Sequence, residues 1–96
     1  MKVLWSAGAE QDRQDIFDHI ARDNPRAALR IDQRFSDAAA TLADWPRKGS
    51  PGRVPGTREL LAHEHYYVIH EIEPATDMVY ILALLHTSRQ WPPYGE

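Results

Sequence analysis

The sequence contains no cysteine, which excludes a disulfide scaffold, a thiolate nucleophile and a cysteine-based zinc site. Long hydrophobic runs are also absent: the longest lies between Met78 and Leu85, whereas a membrane-spanning helix needs about 20 apolar residues. The start of the chain does not have the pattern of a secretory signal. For 96 residues of ordinary composition we therefore expect a single domain over 1–96, a cytoplasmic location and no membrane contact.

Basic charge is in deficit, with 11 Lys and Arg against 14 Asp and Glu, a net charge of -3. This balance excludes a protein that coats nucleic acid by bulk charge. The distribution is uneven, because residues 47–58 hold four basic side chains and no acidic one. Either this segment is a solvated loop, or it contacts phosphate or another acidic target. The residues predicted to bind RNA or another target are Arg47, Lys48 and Arg53.

The apolar pattern has a helical period in the first half of the chain and a strand period in the second. Ser6 is a predicted helix N-cap, and Asn24-Pro25 ends the first helix and begins a second that runs to Asp44. The predicted strands are residues 1–5, 57–62, 66–72 and 78–86. The predicted fold is therefore α+β, in the order β-α-α-β-β-β, with a helical hairpin packed on a small antiparallel sheet.

Three strings, in this order, resemble those of the RelE/ParE superfamily of type II toxin–antitoxin toxins. They are Asp-Ile-Phe-Asp-His-Ile-Ala-Arg-Asp-Asn-Pro-Arg-Ala-Ala (15–28), Gly-Arg-Val-Pro-Gly-Thr-Arg-Glu-Leu (52–60) and Ile-Leu-Ala-Leu-Leu-His-Thr-Ser-Arg-Gln-Trp-Pro (81–92). The resemblance covers nearly the whole chain. It implies a toxin that arrests growth, uses no cofactor and forms a heteromeric complex with a cognate antitoxin protein.

The resemblance implies two alternative targets. RelE-type toxins enter the ribosome and cleave mRNA, whereas ParE-type toxins, which serve in plasmid stabilisation, share the fold but inhibit DNA gyrase without nuclease chemistry. A shared fold does not decide between them, so the decision rests on the residues of the site.

RNA cleavage without a metal requires activation of the 2′-hydroxyl, charge stabilisation at phosphorus and a proton for the leaving oxygen. Members of the family place a functional arginine near the Gly-Thr-Arg-Glu-Leu string, and in several RelE-type nucleases the C-terminal segment supplies a histidine, an arginine or a tyrosine, so the resemblance implies candidates at the matching positions. The predicted catalytic residues are Arg58, His86, Arg89 and Tyr94. For Arg58 the alternative is a structural salt bridge with Glu59 or a helix acid, and for His86 it is a structural histidine at the end of a strand.

Two further histidine positions have no predicted catalytic role. His63 and His65 have a spacing that could suit a metal, but no third ligand is identifiable, so we expect no metal site. His70 lies within a predicted strand, and we expect it to be structural or to partner a helix acid.

The catalytic-type residues favour a ribosome-dependent mRNA endonuclease, which is the predicted function. The acidic balance favours the alternative, a ParE-type gyrase inhibitor. A third reading is an inactive or regulatory protein whose only activity is antitoxin binding.

Overall fold

The computed structural model describes residues 1–88. In this part of the chain the elements are β1 (Lys2–Trp5), α1 (Ala7–Ala21), α2 (Pro25–Asp44), β2 (Ser50–Pro51), β3 (Arg58–His63), β4 (Tyr66–Glu73) and β5 (Met78–His86). The predicted α+β class is confirmed, and the short β2 adds a strand within the predicted loop. Neither α1 nor α2 is long and apolar enough to cross a membrane.

The two helices begin at the predicted capping residues. The Ser6 hydroxyl accepts a hydrogen bond from the Ala9 N–H at 3.1 Å, and the Asn24 side-chain oxygen accepts from the Ala27 N–H at 3.1 Å. These bonds satisfy helix-terminal N–H groups that have no partner within the helix. Pro25 occupies the first turn of α2, where its missing N–H costs nothing. Local sequence therefore determines where each helix starts.

The sheet has the strand order β1-β5-β4-β3-β2, in which β1 runs parallel to β5 and the other neighbours are antiparallel. The sheet is therefore mixed, and the prediction of an antiparallel sheet is wrong for β1. The physical reason is the connection between strands. The helical hairpin separates β1 from β3, so no tight turn fixes the direction of β1, and a helical crossover permits parallel pairing.

The helices cover one face of the sheet and form the main core with it. Phe35, a side chain of α2, is almost fully buried and makes an edge-to-face contact with Tyr66 of β4, with ring centroids 5.6 Å apart. The buried members of this core are Ala9, Phe35, Ala39, Leu42, Leu60, Val68, Val79, Ile81 and Leu84. Removal of this apolar surface from water is the main stabilising term of the fold.

A β-bulge changes the alternation of β5. Ile69 pairs with Ala83 and His70 pairs with Ile81, so Leu82 is the additional residue on β5. After the bulge, Leu84 belongs to the helix-side core, whereas Ala83 and Leu85 form a second cluster with Ile69. A bulge of this kind bends a strand and changes which side chains face each side.

Candidate functional site

Arg58, at the start of β3, holds the loop that follows α2. Its Nη2 donates hydrogen bonds to the carbonyl oxygen of Arg47 at 2.7 Å and to that of Gly49 at 3.1 Å. The salt bridges considered as alternatives, with Glu59 or a helix acid, are not found within residues 1–88, where Glu59 pairs with another arginine. Hydrogen bonds from a charged donor are stronger than neutral ones, so Arg58 fixes the position of this backbone.

His70 of β4 lies directly opposite Arg58 and holds the same loop. Its side chain is fully buried, and its Nε2 lies 2.9 Å from the carbonyl oxygen of Pro46. Because a carbonyl only accepts, Nε2 must donate and Nδ1 is left as an acceptor. The expected structural role fits this contact, but the partner is a loop carbonyl and not a helix acid.

Burial lowers the pKa of His70, and the nearby Arg58 charge lowers this pKa further, although the bond to Pro46 opposes the shift. Arg58 Nε and His70 Nδ1 are both buried without a hydrogen-bond partner in the described part of the chain. Leaving such atoms unpaired costs roughly 1–3 kcal/mol each. Holding the loop through Arg58 and His70 therefore carries the cost of two unpaired buried nitrogen atoms.

Arg53 is engaged by contacts within the protein, to Glu59 and to Tyr67. Its Nε lies 3.2 Å from Glu59 Oε2, its backbone N–H donates to the same oxygen at 3.0 Å, and its guanidinium lies 5.8 Å from the ring centroid of Tyr67. The Glu59 carboxylate is nearly buried. Arg53 therefore compensates a buried charge, which restricts its freedom to reach a target.

The exposed remainder of the basic segment lies beside an aromatic ring. Arg47 and Lys48 are exposed, and neither forms an ion pair within residues 1–88. Trp45 precedes them with 68% of its surface exposed. A cavity of about 650 Å³ is lined, among the described residues, by Asp44, Trp45, Pro46, Arg47 and Lys48. We call these five residues the 44–48 patch.

His86 ends β5, opposite Tyr66, within a group of aromatic rings. Its Nδ1 accepts from the Ser88 N–H at 3.1 Å and lies 2.7 Å from the Ser88 hydroxyl. Its ring packs edge-on to Tyr66 at 5.2 Å between centroids and is stacked on His65 at 5.7 Å. With Nδ1 accepting from a backbone N–H, the neutral ring carries its proton on Nε2, so this nitrogen is ready to donate but not to accept.

Arg58 and His86 lie at different ends of the sheet. Arg58 is opposite His70 and His86 is opposite Tyr66, and these two partners are four positions apart along β4. At about 3.3 Å per residue this is ~13 Å along the strands, and β3 and β5 are in addition two strand spacings apart, or ~10 Å. Because the Arg58 guanidinium also points to loop carbonyls, the two side chains do not converge on one phosphate.

Arg89 and Tyr94, the other predicted catalytic residues, lie outside the described residues, and their roles stay predictions. No group of three or more His, Asp or Glu side chains within residues 1–88 is arranged to hold a metal ion. His63 and His65 have ring centroids 5.7 Å apart, but the His63 Nδ1 accepts from the His65 N–H and is occupied by that bond.

Sequence reasoning missed two residues. Asp12 of α1 is half-buried, and its Oδ2 accepts from the Leu84 N–H at 3.1 Å. Burial raises the pKa of this carboxyl, with the Leu84 bond opposing. No local signal reveals a bond to a strand 72 residues away. Trp45 is the second, and its position beside Pro46 and two basic residues is a usable sequence signal of an exposed contact.

Two helices on one face of a five-stranded mixed sheet form an architecture that this chain shares with solved ParDE and RelBE structures. Residues 3–91 match the sequence model of a family described as the ParE toxin of the type II toxin–antitoxin system, parDE. Since the match spans most of the sequence, the chain belongs to this family and is a toxin of the ParE/RelE superfamily.

Two curated relatives agree with this assignment. A putative toxin, Y4kP, from Sinorhizobium fredii is 35% identical over 92 residues, which cover 95% of this chain and 93% of the relative. Toxin RelE2 from Caulobacter vibrioides is 31% identical over 88 residues, which cover 92% of this chain and 97% of the relative. The predicted family is therefore confirmed.

Solved structures share the fold. A chain of the chromosomal ParDE toxin–antitoxin system of P. aeruginosa superposes with a TM-score of 0.78 at 23% identity, covering 90% of this chain and 95% of that chain. The toxin–antitoxin complex RelBE2 of Mycobacterium tuberculosis gives a TM-score of 0.64 at 21% identity, with 88% and 95% covered. At these identities the likeness establishes architecture and not target.

Proposed function

We propose that this toxin arrests growth as ParE-type toxins do, by binding DNA gyrase, and that a cognate antitoxin neutralises it in a heteromeric complex. The observation that carries the proposal is the separation of Arg58 from His86, since an RNA-cleaving site needs its acid, base and cation around one phosphate. Arg58 already holds the carbonyls of Arg47 and Gly49. These two bonds support a structural role for Arg58, which is the best basic candidate in the sequence.

The charge distribution supports the same function. Of the three predicted target-binding residues, Arg53 is paired with Glu59, which leaves Arg47 and Lys48 exposed. In the segment 47–58 these two cations are therefore the freely exposed ones, and on a chain of net charge -3 they give weak attraction for the polyanionic interior of the ribosome. Contact with a folded protein target needs no such excess of positive charge, because shape and a few anchoring side chains supply specificity.

Ribosome-dependent mRNA cleavage is the second candidate function, and one feature favours it. His86 presents an Nε2–H from a group of aromatic rings that includes His65 and Tyr66. The predicted Arg89 follows three residues later, and Tyr94 five residues after that. A site made of these three residues alone, without Arg58, would hold a donor, a cation and a phenol. The relative named Toxin RelE2 is consistent with it.

The experiment that separates the two functions uses the purified toxin in two parallel reactions. With gyrase, ATP and relaxed plasmid, the proposal predicts loss of supercoiling and accumulation of cleaved DNA. In a cell-free translation reaction that lacks gyrase, it predicts intact mRNA. Ribosome-dependent cuts in the mRNA, together with normal gyrase activity, would overturn the proposal and establish the second candidate.

Matched variants give this experiment its control. Arg47→Ala with Lys48→Ala removes the exposed cations of the 44–48 patch and is expected to weaken the gyrase effect about tenfold or more. Arg26→Ala with Arg30→Ala removes two exposed cations near the other end of α2 and leaves the effect within about twofold. Equal losses in both double variants would indicate that overall charge, and not the patch, is responsible.

A further inference from the structure

The 44–48 patch exposes the largest aromatic side chain near the basic segment. Trp45 has most of its surface in solvent and borders the cavity of about 650 Å³. Tryptophan and arginine are the side chains most enriched among the residues that dominate binding energy at protein interfaces. An indole next to Arg47 at the mouth of a cavity therefore has the composition of an anchor point.

The backbone of the patch is fixed before any partner arrives. The Trp45 N–H donates to the Thr41 carbonyl at 2.9 Å, and the Lys48 N–H donates to the Trp45 carbonyl at 3.0 Å. Arg58 and His70 hold the adjoining carbonyls from the sheet. A fixed loop loses little conformational freedom on association, so more of the contact energy appears as affinity.

The patch carries a net positive charge, because Arg47 and Lys48 outnumber the exposed Asp44, and this charge favours an acidic partner. Arg47 and Lys48 have no ion pair in the described part of the chain, so they attract carboxylates without breaking an existing bond. A nucleic acid fits less well, because each phosphate contact needs a cation and Arg53 and Arg58 are already engaged. A protein segment with a few carboxylates and one apolar side chain matches both features.

We propose that the 44–48 patch docks an acidic segment of the cognate antitoxin, with one large apolar side chain in the cavity beside Trp45 and carboxylates against Arg47 and Lys48. This proposal rests on the antitoxin pairing in the proposed function. Five residues supply only part of the ~800 Å² that each partner contributes to a stable interface, so the patch is one anchor within a larger contact. An antitoxin seated there covers the cations assigned above to the target.

The test measures the affinity of the toxin for the antitoxin encoded beside it, by competition against a labelled wild-type toxin–antitoxin complex. Trp45→Ala is expected to weaken binding about tenfold to thirtyfold. Arg47→Glu with Lys48→Glu is expected to weaken it as much or more, and added salt is expected to recover part of the lost affinity because it screens the new repulsion. Leu29→Ala, which shortens another exposed apolar side chain of α2, is the matched control and stays within about twofold. Thermal unfolding of each variant confirms that it is folded.

Reversal of antitoxin carboxylates to lysine tests the charge pairing directly. One such change is expected to restore binding to the Arg47→Glu, Lys48→Glu toxin. Equal affinities of Trp45→Ala and Leu29→Ala would overturn the docking proposal while leaving the toxin assignment intact. The wild-type toxin and the Arg47→Glu, Lys48→Glu variant are also mixed with a 20-base-pair DNA duplex. If wild type binds the duplex and the variant does not, while both bind the antitoxin equally, the patch contacts nucleic acid and the docking proposal is overturned. If wild-type toxin does not bind the antitoxin at all, both this proposal and the proposed pairing fail.

Discussion

Arg58, a predicted catalytic residue, and His70, a predicted structural one, both bind the backbone of the protein itself. Arg58 and His70 face each other across β3 and β4, and both bind carbonyl oxygens of the segment that follows α2. Sequence could predict that Arg58 lies at the start of a strand and that His70 is structural. It could not predict the acceptors, because backbone carbonyls carry no residue-specific signal.

Substitution of Arg58 tests whether this residue is structural. Arg58→Met removes both charge-assisted bonds to the loop, so the free energy of unfolding is expected to fall by about 2 kcal/mol. Arg47→Met, which removes an exposed guanidinium, is the control and is expected to change the free energy of unfolding by less than about 0.5 kcal/mol. Urea unfolding measures both. Unchanged stability of Arg58→Met with complete loss of toxicity would instead place Arg58 in a reacting site.

His70 makes stability depend on pH. Its pKa is lowered in the folded state, so the unfolded chain binds more protons near pH 6.5 than the folded one. Its contribution is therefore fully present above about pH 6.5 and is lost as pH falls, with a slope of at most ~1.4 kcal/mol per pH unit. His70→Gln keeps a donor for Pro46 but does not titrate, so its curve is expected to be flatter between pH 7.5 and 5.5.

Denaturant unfolding at pH 7.5, 6.5 and 5.5 measures this difference. His65→Gln, at an exposed position, is the matched control and is expected to follow the wild-type curve. Parallel wild-type and His70→Gln curves would show that His70 is not the group responsible.

Among the elements, α1 and its N-cap bind the backbone groups of β5 that lie beyond the end of β1. Ser6 donates its backbone N–H to the Ile81 carbonyl at 2.9 Å and its hydroxyl to the Leu82 carbonyl at 3.3 Å, and Asp12 accepts from Leu84. Three bonds from a helix and its cap thus replace strand pairing next to the bulge. Helix boundaries were predictable because caps are local, whereas the parallel pairing and the bulge depend on contacts between distant residues.

Asp12→Asn tests this link between α1 and β5. The pKa of Asp12 is raised in the folded state, so its contribution to stability is greatest below the ordinary value of 3.8 and is lost as pH rises through the folded value. Asparagine still offers an oxygen to the Leu84 N–H but carries no charge. We expect Asp12→Asn to be at least as stable as wild type at pH 7. The difference in free energy of unfolding between the variant and wild type is expected to shrink towards pH 4.

Asp12→Ala is the comparison variant, because it removes the acceptor and leaves the Leu84 N–H unpaired. We expect it to lose about 1–3 kcal/mol relative to Asp12→Asn at pH 7. Calorimetry of wild type, Asp12→Asn and Asp12→Ala at pH 4 and 7 measures the free energies of unfolding that are compared. A gain for Asp12→Asn that is the same at both pH values would contradict the raised pKa.

For the molecule as a whole, the fold decides which of the basic side chains are engaged inside the structure and which are exposed to a partner. The segment 47–58 holds four basic residues, but Arg53 and Arg58 are engaged within the structure and Arg47 and Lys48 remain exposed. The sequence could predict the family and the basic segment. It could not predict that its arginines divide between structure and surface, because that division depends on Glu59 and on two loop carbonyls.

If growth arrest comes from gyrase binding and not from RNA cleavage, as proposed, the 5′ ends of mRNA stay unchanged in arrested cells, and mapping of these ends is the decisive measurement. Cells that express the toxin without antitoxin are sampled at the onset of arrest, alongside uninduced cells. The expected result is identical 5′ ends in both samples, together with broken chromosomal DNA in the arrested one. New 5′ ends within translated codons, in cells whose chromosome is intact, would contradict it.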